Sequence, residues 1–155
     1  MKKNYIRKFF EKIIFEPLQG ILAIILYFSF SCLNPKLSSW IGGKLALFIS
    51  PFLSQNKRAF DNIKLIYPNM TKLEQRKILN QAIENLGRNA GEYPHLGKIG
   101  NFINVKGKEN LPSHDQPFIF VAAHLANWEL TPYPGLIINR PVMRVYRKLN
   151  APIAE

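Results

Sequence analysis

A single cysteine, Cys32, occurs in the 155 residues of this chain. One thiol forms no intramolecular disulfide and supplies no zinc-type cluster, so neither a disulfide scaffold nor a small zinc module is available. Such usage is compatible with a reducing compartment. Acidic residues are scarce too: 10 Asp and Glu stand against 21 Lys and Arg, a formal net charge of +11. That balance favours polyanionic partners, whether nucleic acid, anionic lipid head groups or an acidic protein. Internal repeats and low-complexity tracts are missing, which excludes solenoids and arrays. What abounds is apolar surface, with 47% hydrophobic residues and 11 Phe, which argues against disorder and fits a core plus a membrane-facing surface. The length suffices for one globular domain.

Residues 1–17 are basic and amphipathic, with Lys2, Lys3, Arg7, Lys8 and Lys12 interleaved among Phe9, Phe10, Ile13 and Ile14. This pattern suits an interfacial helix with its cations at the head groups, interrupted by Pro17. Leu18 to Leu33 then runs without a charge. It is slightly short for a perpendicular bilayer span and longer than most soluble core segments. A membrane anchor, a buried helix and a cleaved signal peptide all compete for it; length and flanking charge favour the anchor, and no A-x-A cleavage site follows to support a signal peptide. Basic residues flank the run on both sides, so charge bias does not orient it. A second apolar run, Leu37 to Leu53, is broken by Lys44 and Pro51 and reads as re-entrant or interfacial.

From Gln55 the pattern becomes that of soluble helices. Lys57 to Ile66 forms one, ended by Tyr67-Pro68-Asn69. Thr71 with Glu74 three positions on makes a capping box, in which hydroxyl and carboxylate satisfy orphan N–H groups at the start of the next helix. Leu79, Ile83, Leu86, Ala90 and Tyr93 recur at helical spacing and are expected to face a core. Pro94 ends that helix. Phe102 to Lys106 alternates as a strand does, closed by Gly107, and a turn region follows through Gln116.

The next stretch, Pro117 to Leu130, reads PFIFVAAHLANWEL. Its Phe, Ile and Val run is too short for an independent helix and predicts a buried strand. The strand delivers His124 to its end, and a helix is expected to start near Ala126 or Asn127, kept short by Pro132 and Pro134. A third strand, Val142 to Tyr146, implies a right-handed parallel crossover. A histidine is a general base near neutral pH, and a carboxylate that fixes its tautomer improves it. Residues five apart on one helix lie about 140° apart around the axis and do not meet. His124 and Glu129 therefore meet only if His124 lies in the strand-to-helix turn and Glu129 points back from the first helical turn. Spacing alone is equally consistent with a histidine at a strand end beside an exposed glutamate. His95 and His114 have no such partner and read as loop residues.

The surrounding residues are more specific. His124-Leu125-Ala126-Asn127-Trp128-Glu129 resembles the His-x4-acid block of the lysophospholipid-type acyltransferases, and most of all the bacterial lipid A biosynthesis acyltransferase family, where H-x-x-N-W-E is typical. The basic N-terminal anchor agrees in order and approximate spacing. So do Arg58-Ala59-Phe60-Asp61-Asn62-Ile63 with Tyr67-Pro68, then Lys106 to Pro112, then Val145 to Pro152, which is similar to a Y-R-P-L-N-N-P block. Two departures stand out: Lys148 replaces a usual proline, and Leu125-Ala126 replaces the usual Phe-Gly. Family members are considerably longer, so the chain is expected to be an N-terminal half.

The resemblance implies an α/β fold. Residues 1–54 would form a membrane anchor or interfacial helices, and residues 55–155 the N-terminal part of a truncated glycerolipid-acyltransferase-like α/β domain with a partly parallel sheet. It implies transfer of a fatty acyl chain from acyl carrier protein to a hydroxyl of a lipid A precursor, on the cytoplasmic face of the bacterial inner membrane. His124 would be the base and Glu129 its orienter. Arg147 would bind a phosphate or the developing oxyanion, and Asn127 would contact substrate or shape the turn. No Ser or Cys nucleophile sits beside the pair, so attack would be direct. No cofactor, metal or nucleic-acid partner is expected. The alternatives are a related acyltransferase acting on another glycolipid or glycerolipid, and a catalytically inactive membrane-associated remnant that binds anionic lipid.

Overall fold

The computed structural model describes residues 16–112, 116–119, 121–123, 125–131, 133, 135, 141 and 143. Five helices account for most of them: α1 (Glu16–Ser31), α2 (Pro35–Ile49), α3 (Ser54–Ile66), α4 (Lys72–Glu92) and α5 (Leu96–Gly100). Short 3-10 turns at Ser50–Phe52, Tyr93–His95, Lys108–Asn110 and Trp128–Leu130 link or follow them.

The charge-free run becomes α1, whose 16 residues span about 24 Å. A bilayer's hydrocarbon core is about 30 Å thick. Among the described residues no helix is long and apolar enough to cross a membrane, which corrects the expectation of a transmembrane helix. Nor is α1 a buried core helix, because Leu18, Leu22, Ile25 and Phe28 are all more than half exposed. The helix ends where the Phe30 carbonyl accepts from Leu33 N at 3.0 Å and pairs with His95 Nε2, also at 3.0 Å. His95 is thus no loop residue: it is 1% exposed and ties the far end of α4 to the end of α1.

Asn34 caps α2, its Oδ1 accepting from Leu37 N at 2.9 Å, and Pro35 takes the first helical position, where its missing N–H costs nothing. Lys44 does not break the apolar run. Its ammonium leaves the helix toward Glu84 on α4, at 3.2 Å. Pro51 sits in the 3-10 turn that ends α2. Helix α3 begins three residues before the expected start, at Ser54. The Thr71–Glu74 capping box at the head of α4 is present in both directions.

The most extensive packing among the described residues is α2 against α4, and it runs through small residues. Ser38, Gly42 and Ala46 recur four apart on one helix, Gly87 and Gly91 on the other, so each set shares a face. A Cβ on Gly42 would fall on the Gly87 carbonyl oxygen, and one on Gly91 would fall on that of Ser38. The Ser38 hydroxyl donates to the Gly91 carbonyl, in a contact buried on both sides. Most of the expected core stripe of α4 is therefore not core. Leu79 is buried, but Leu86 is 57% and Tyr93 52% exposed, because the helix turns its glycines and Asn89 inward instead.

The expected α/β sheet is absent from the described residues, which contain no strand. Residues 103–106 and 117–119 run without a ladder. A strand is held by pairing its backbone groups with a neighbour, and an alternating or apolar pattern cannot supply that neighbour. Ile119 and Val121, expected inside a buried strand, are 88% and 92% exposed. Most of the third expected strand, and part of the crossover leading to it, lie outside the described residues. The helix expected from Ala126 or Asn127 is a 3-10 turn at Trp128–Leu130.

Candidate functional site

Asn85, Asn89 and Glu92 lie at spacings of four and three along α4 and so share one face of it. This polar face holds the turn that contains Asn127 and Glu129. Asn89 Nδ2 donates to the Ala126 carbonyl at 2.7 Å, with Asn85 Nδ2 at 3.4 Å from the same oxygen. Asn127 Nδ2 donates to Glu92 Oε2 at 2.7 Å, and Glu92 Oε1 accepts from the Ser39 hydroxyl of α2, also at 2.7 Å. The other end of the Asn127 amide caps the 3-10 turn: its Oδ1 accepts from Glu129 N at 3.2 Å. Both ends of the amide are therefore engaged within the protein.

Two further features shape the turn. Ala126 has φ of 47°, a left-handed conformation that a Cβ disfavours. It is the position where the resembled block usually carries glycine. Downstream, the Tyr133 hydroxyl donates to the Gly97 carbonyl at 3.1 Å, and its ring lies over Gly100 in α5, in the place a Cβ would take. The turn is thus fixed at Ala126 and Asn127 to α4, and at Tyr133 to α5.

Of the four residues singled out from sequence, Asn127 and the half-buried Glu129 fall in this one turn. His124 and Arg147 lie outside the described residues, as do His114 and the whole Val145 to Pro152 block. The residues that sequence reasoning missed are Ser39, Asn89 and Glu92. A local signal existed for one of them. Asparagine is a poor helix residue, because its amide competes for backbone groups, and Asn89 in the last turn of α4 calls for a partner. The identity of that partner, 37 residues downstream, had no local signal.

Residues 11–152 match the model of the bacterial lipid A biosynthesis acyltransferase family. No curated protein and no solved structure gives a significant match.

Proposed function

The chain belongs to the bacterial lipid A biosynthesis acyltransferase family, and from that premise we propose that it carries the catalytic turn for moving a fatty acyl chain from acyl carrier protein to a hydroxyl of a lipid A precursor. His124 takes the hydroxyl proton, and the oxygen attacks the thioester carbonyl. The C–S bond breaks as the tetrahedral intermediate collapses, and the imidazolium returns its proton to the leaving thiolate. Glu129 orients the imidazole and stabilises its charged form. Asn127 shapes the turn, and Arg147 meets a substrate phosphate or the oxyanion. The setting is the cytoplasmic face of the inner membrane, where a net charge of +11 suits both an acidic carrier and an anionic glycolipid.

The observation that carries this reading is the clamp of Asn89 and Glu92 on Ala126 and Asn127. It orders the turn holding Glu129 by hydrogen bonds to a long packed helix, the kind of support a catalytic pair needs. The test is incubation of the purified chain with acyl carrier protein thioester and a phosphorylated glucosamine lipid. An acceptor heavier by one acyl group supports the proposal. A second reading, the inactive remnant, draws on the exposure of Ile119 and Val121, which leaves the run ahead of the turn uncovered. Under that reading the chain binds anionic vesicles and consumes no thioester.

A further inference from the structure

The face of α4 opposite the clamp is also organised, and by different chemistry. Around a helix of about 3.6 residues per turn, Lys72, Arg76, Ile83, Gly87 and Ala90 fall within roughly 60° of one another. Asn85, Asn89 and Glu92 lie across the axis from them. Two clefts open along this second face. The first, about 340 Å³, is lined by Lys57, Lys64, Lys72 and Arg76, with Asp61 its single carboxylate. Its floor is the buried Phe60 ring, with Lys64 Nζ at 4.6 Å and Arg76 Cζ at 4.3 Å from the ring centroid. The second, about 330 Å³, is apolar, with Leu26 and Phe30 from α1, Leu45 and Ile49 from α2, and Ile83 and Leu86 from α4. Leu53 and Asn56 line both clefts, so the cationic and apolar spaces lie side by side with a shared wall.

We propose that this pair of clefts binds one anionic phospholipid of the bilayer, its phosphate among Lys57, Lys64, Lys72 and Arg76 and an acyl chain along Ile83 and Leu86. Four cations against one carboxylate give a site selective for negative charge, and Asp61 is already paired with Lys64 at 2.9 Å. From Arg76 to Ala90 the face runs about 21 Å. One leaflet contributes about 15 Å of hydrocarbon, so head group and chain fit along it together. Between Pro51 and Leu53, which line the first cleft, Phe52 stands edge to face with Phe48, the two 81% and 73% exposed, an apolar tip of the kind that seats at a head-group boundary. Because the clefts and the Asn127–Glu129 turn sit on opposite faces of α4, the bound lipid is not the reacting chain. It seats the protein on the bilayer. The site takes from the proposed function only the presence of a membrane, and its test reads binding rather than acyl transfer, so either can fail alone.

The full chain is sedimented with phosphatidylcholine vesicles that contain or lack phosphatidylglycerol. Lys57 and Lys72, which have no ion pair among the described residues, are replaced together (Lys57→Gln with Lys72→Gln). The charge-matched control is Lys98→Gln with Lys106→Gln, outside both clefts. The cleft pair is expected to weaken binding to phosphatidylglycerol vesicles roughly tenfold more than the control pair. Ala59→Leu with Ala90→Leu, which fills the apolar cleft, is expected to weaken binding while leaving its salt dependence unchanged. Circular dichroism melts confirm that each variant folds. Equal loss from the two lysine pairs would mean a diffuse basic surface and overturn the site. Displacement by a phosphorylated glucosamine lipid but not by phosphatidylglycerol would overturn the assignment to a bilayer phospholipid.

Discussion

Asn127 donates through Nδ2 to Glu92 Oε2 at 2.7 Å, while its Oδ1 accepts from the backbone of Glu129. One side chain thereby fastens the turn to α4 and sets the geometry of the residue assigned to orient the base. Glu92 in turn is held by Ser39, so the turn is braced against the α2–α4 pair.

The directions of these bonds make the brace testable by exchange. Asn127→Asp sets a second carboxylate against Glu92 and is expected to cost about 1–3 kcal/mol. Adding Glu92→Gln restores a donor toward residue 127 and an acceptor toward the Ser39 hydroxyl, so the double variant should recover most of that loss. Urea denaturation of the cycle measures it, and simple additivity of the two single changes would show that the residues are not coupled.

Helix α4 carries Gly87 against the backbone of Gly42. Gly87→Ala is expected to destabilise by about 2 kcal/mol or more, since overpacking outweighs the gain in helix propensity. Gly97→Ala in α5, where a Cβ meets nothing within 4 Å, is expected to be neutral or to stabilise by about 0.5–1 kcal/mol. Thermal melts of the two variants should move apart. Equal shifts would contradict the close α2–α4 approach.

At Ala126 the left-handed φ of 47° marks strain that glycine does not share. Ala126→Gly is expected to stabilise by roughly 0.5–1 kcal/mol, with the relief of strain partly offset by added freedom in the unfolded chain. A destabilised Gly variant in urea melts would place residue 126 elsewhere in conformational space.

Glu84 bridges Lys44 of α2 and Arg88 of its own helix. The Arg88 hydrogen bond first, then that from Lys44, holds its carboxyl below the ordinary 4.5. A carboxyl lowered on folding contributes stability above its unfolded value and loses it as pH falls through the folded one. Glu84→Gln should therefore melt below wild type at neutral pH and converge with it on acidification. A gap that persists in acid would assign the effect to packing instead.

How much was legible in the sequence followed the range of each interaction. The Thr71–Glu74 box needed only four residues and stands as read. The charge-free run from Leu18 to Leu33 marked out α1, but the exposure of that helix depended on neighbours no local pattern names. His95 read as a loop residue because its partner, the Phe30 carbonyl, lies 65 residues away. The Ile83–Leu86–Ala90 stripe had the right period for a core and lines a cleft, since the helix contact went to glycines. The sheet failed for a related reason: period-two patterning in Phe102 to Lys106 is compatible with a strand and supplies no partner for one.

The central assignment is the base. Acyl transfer from acyl carrier protein thioester to a phosphorylated glucosamine lipid, measured for wild type and His124→Ala under the same conditions, tests it most directly. The expected result is product from wild type and a rate at least about a hundredfold lower in the variant. Transfer by His124→Ala at the wild-type rate would contradict it.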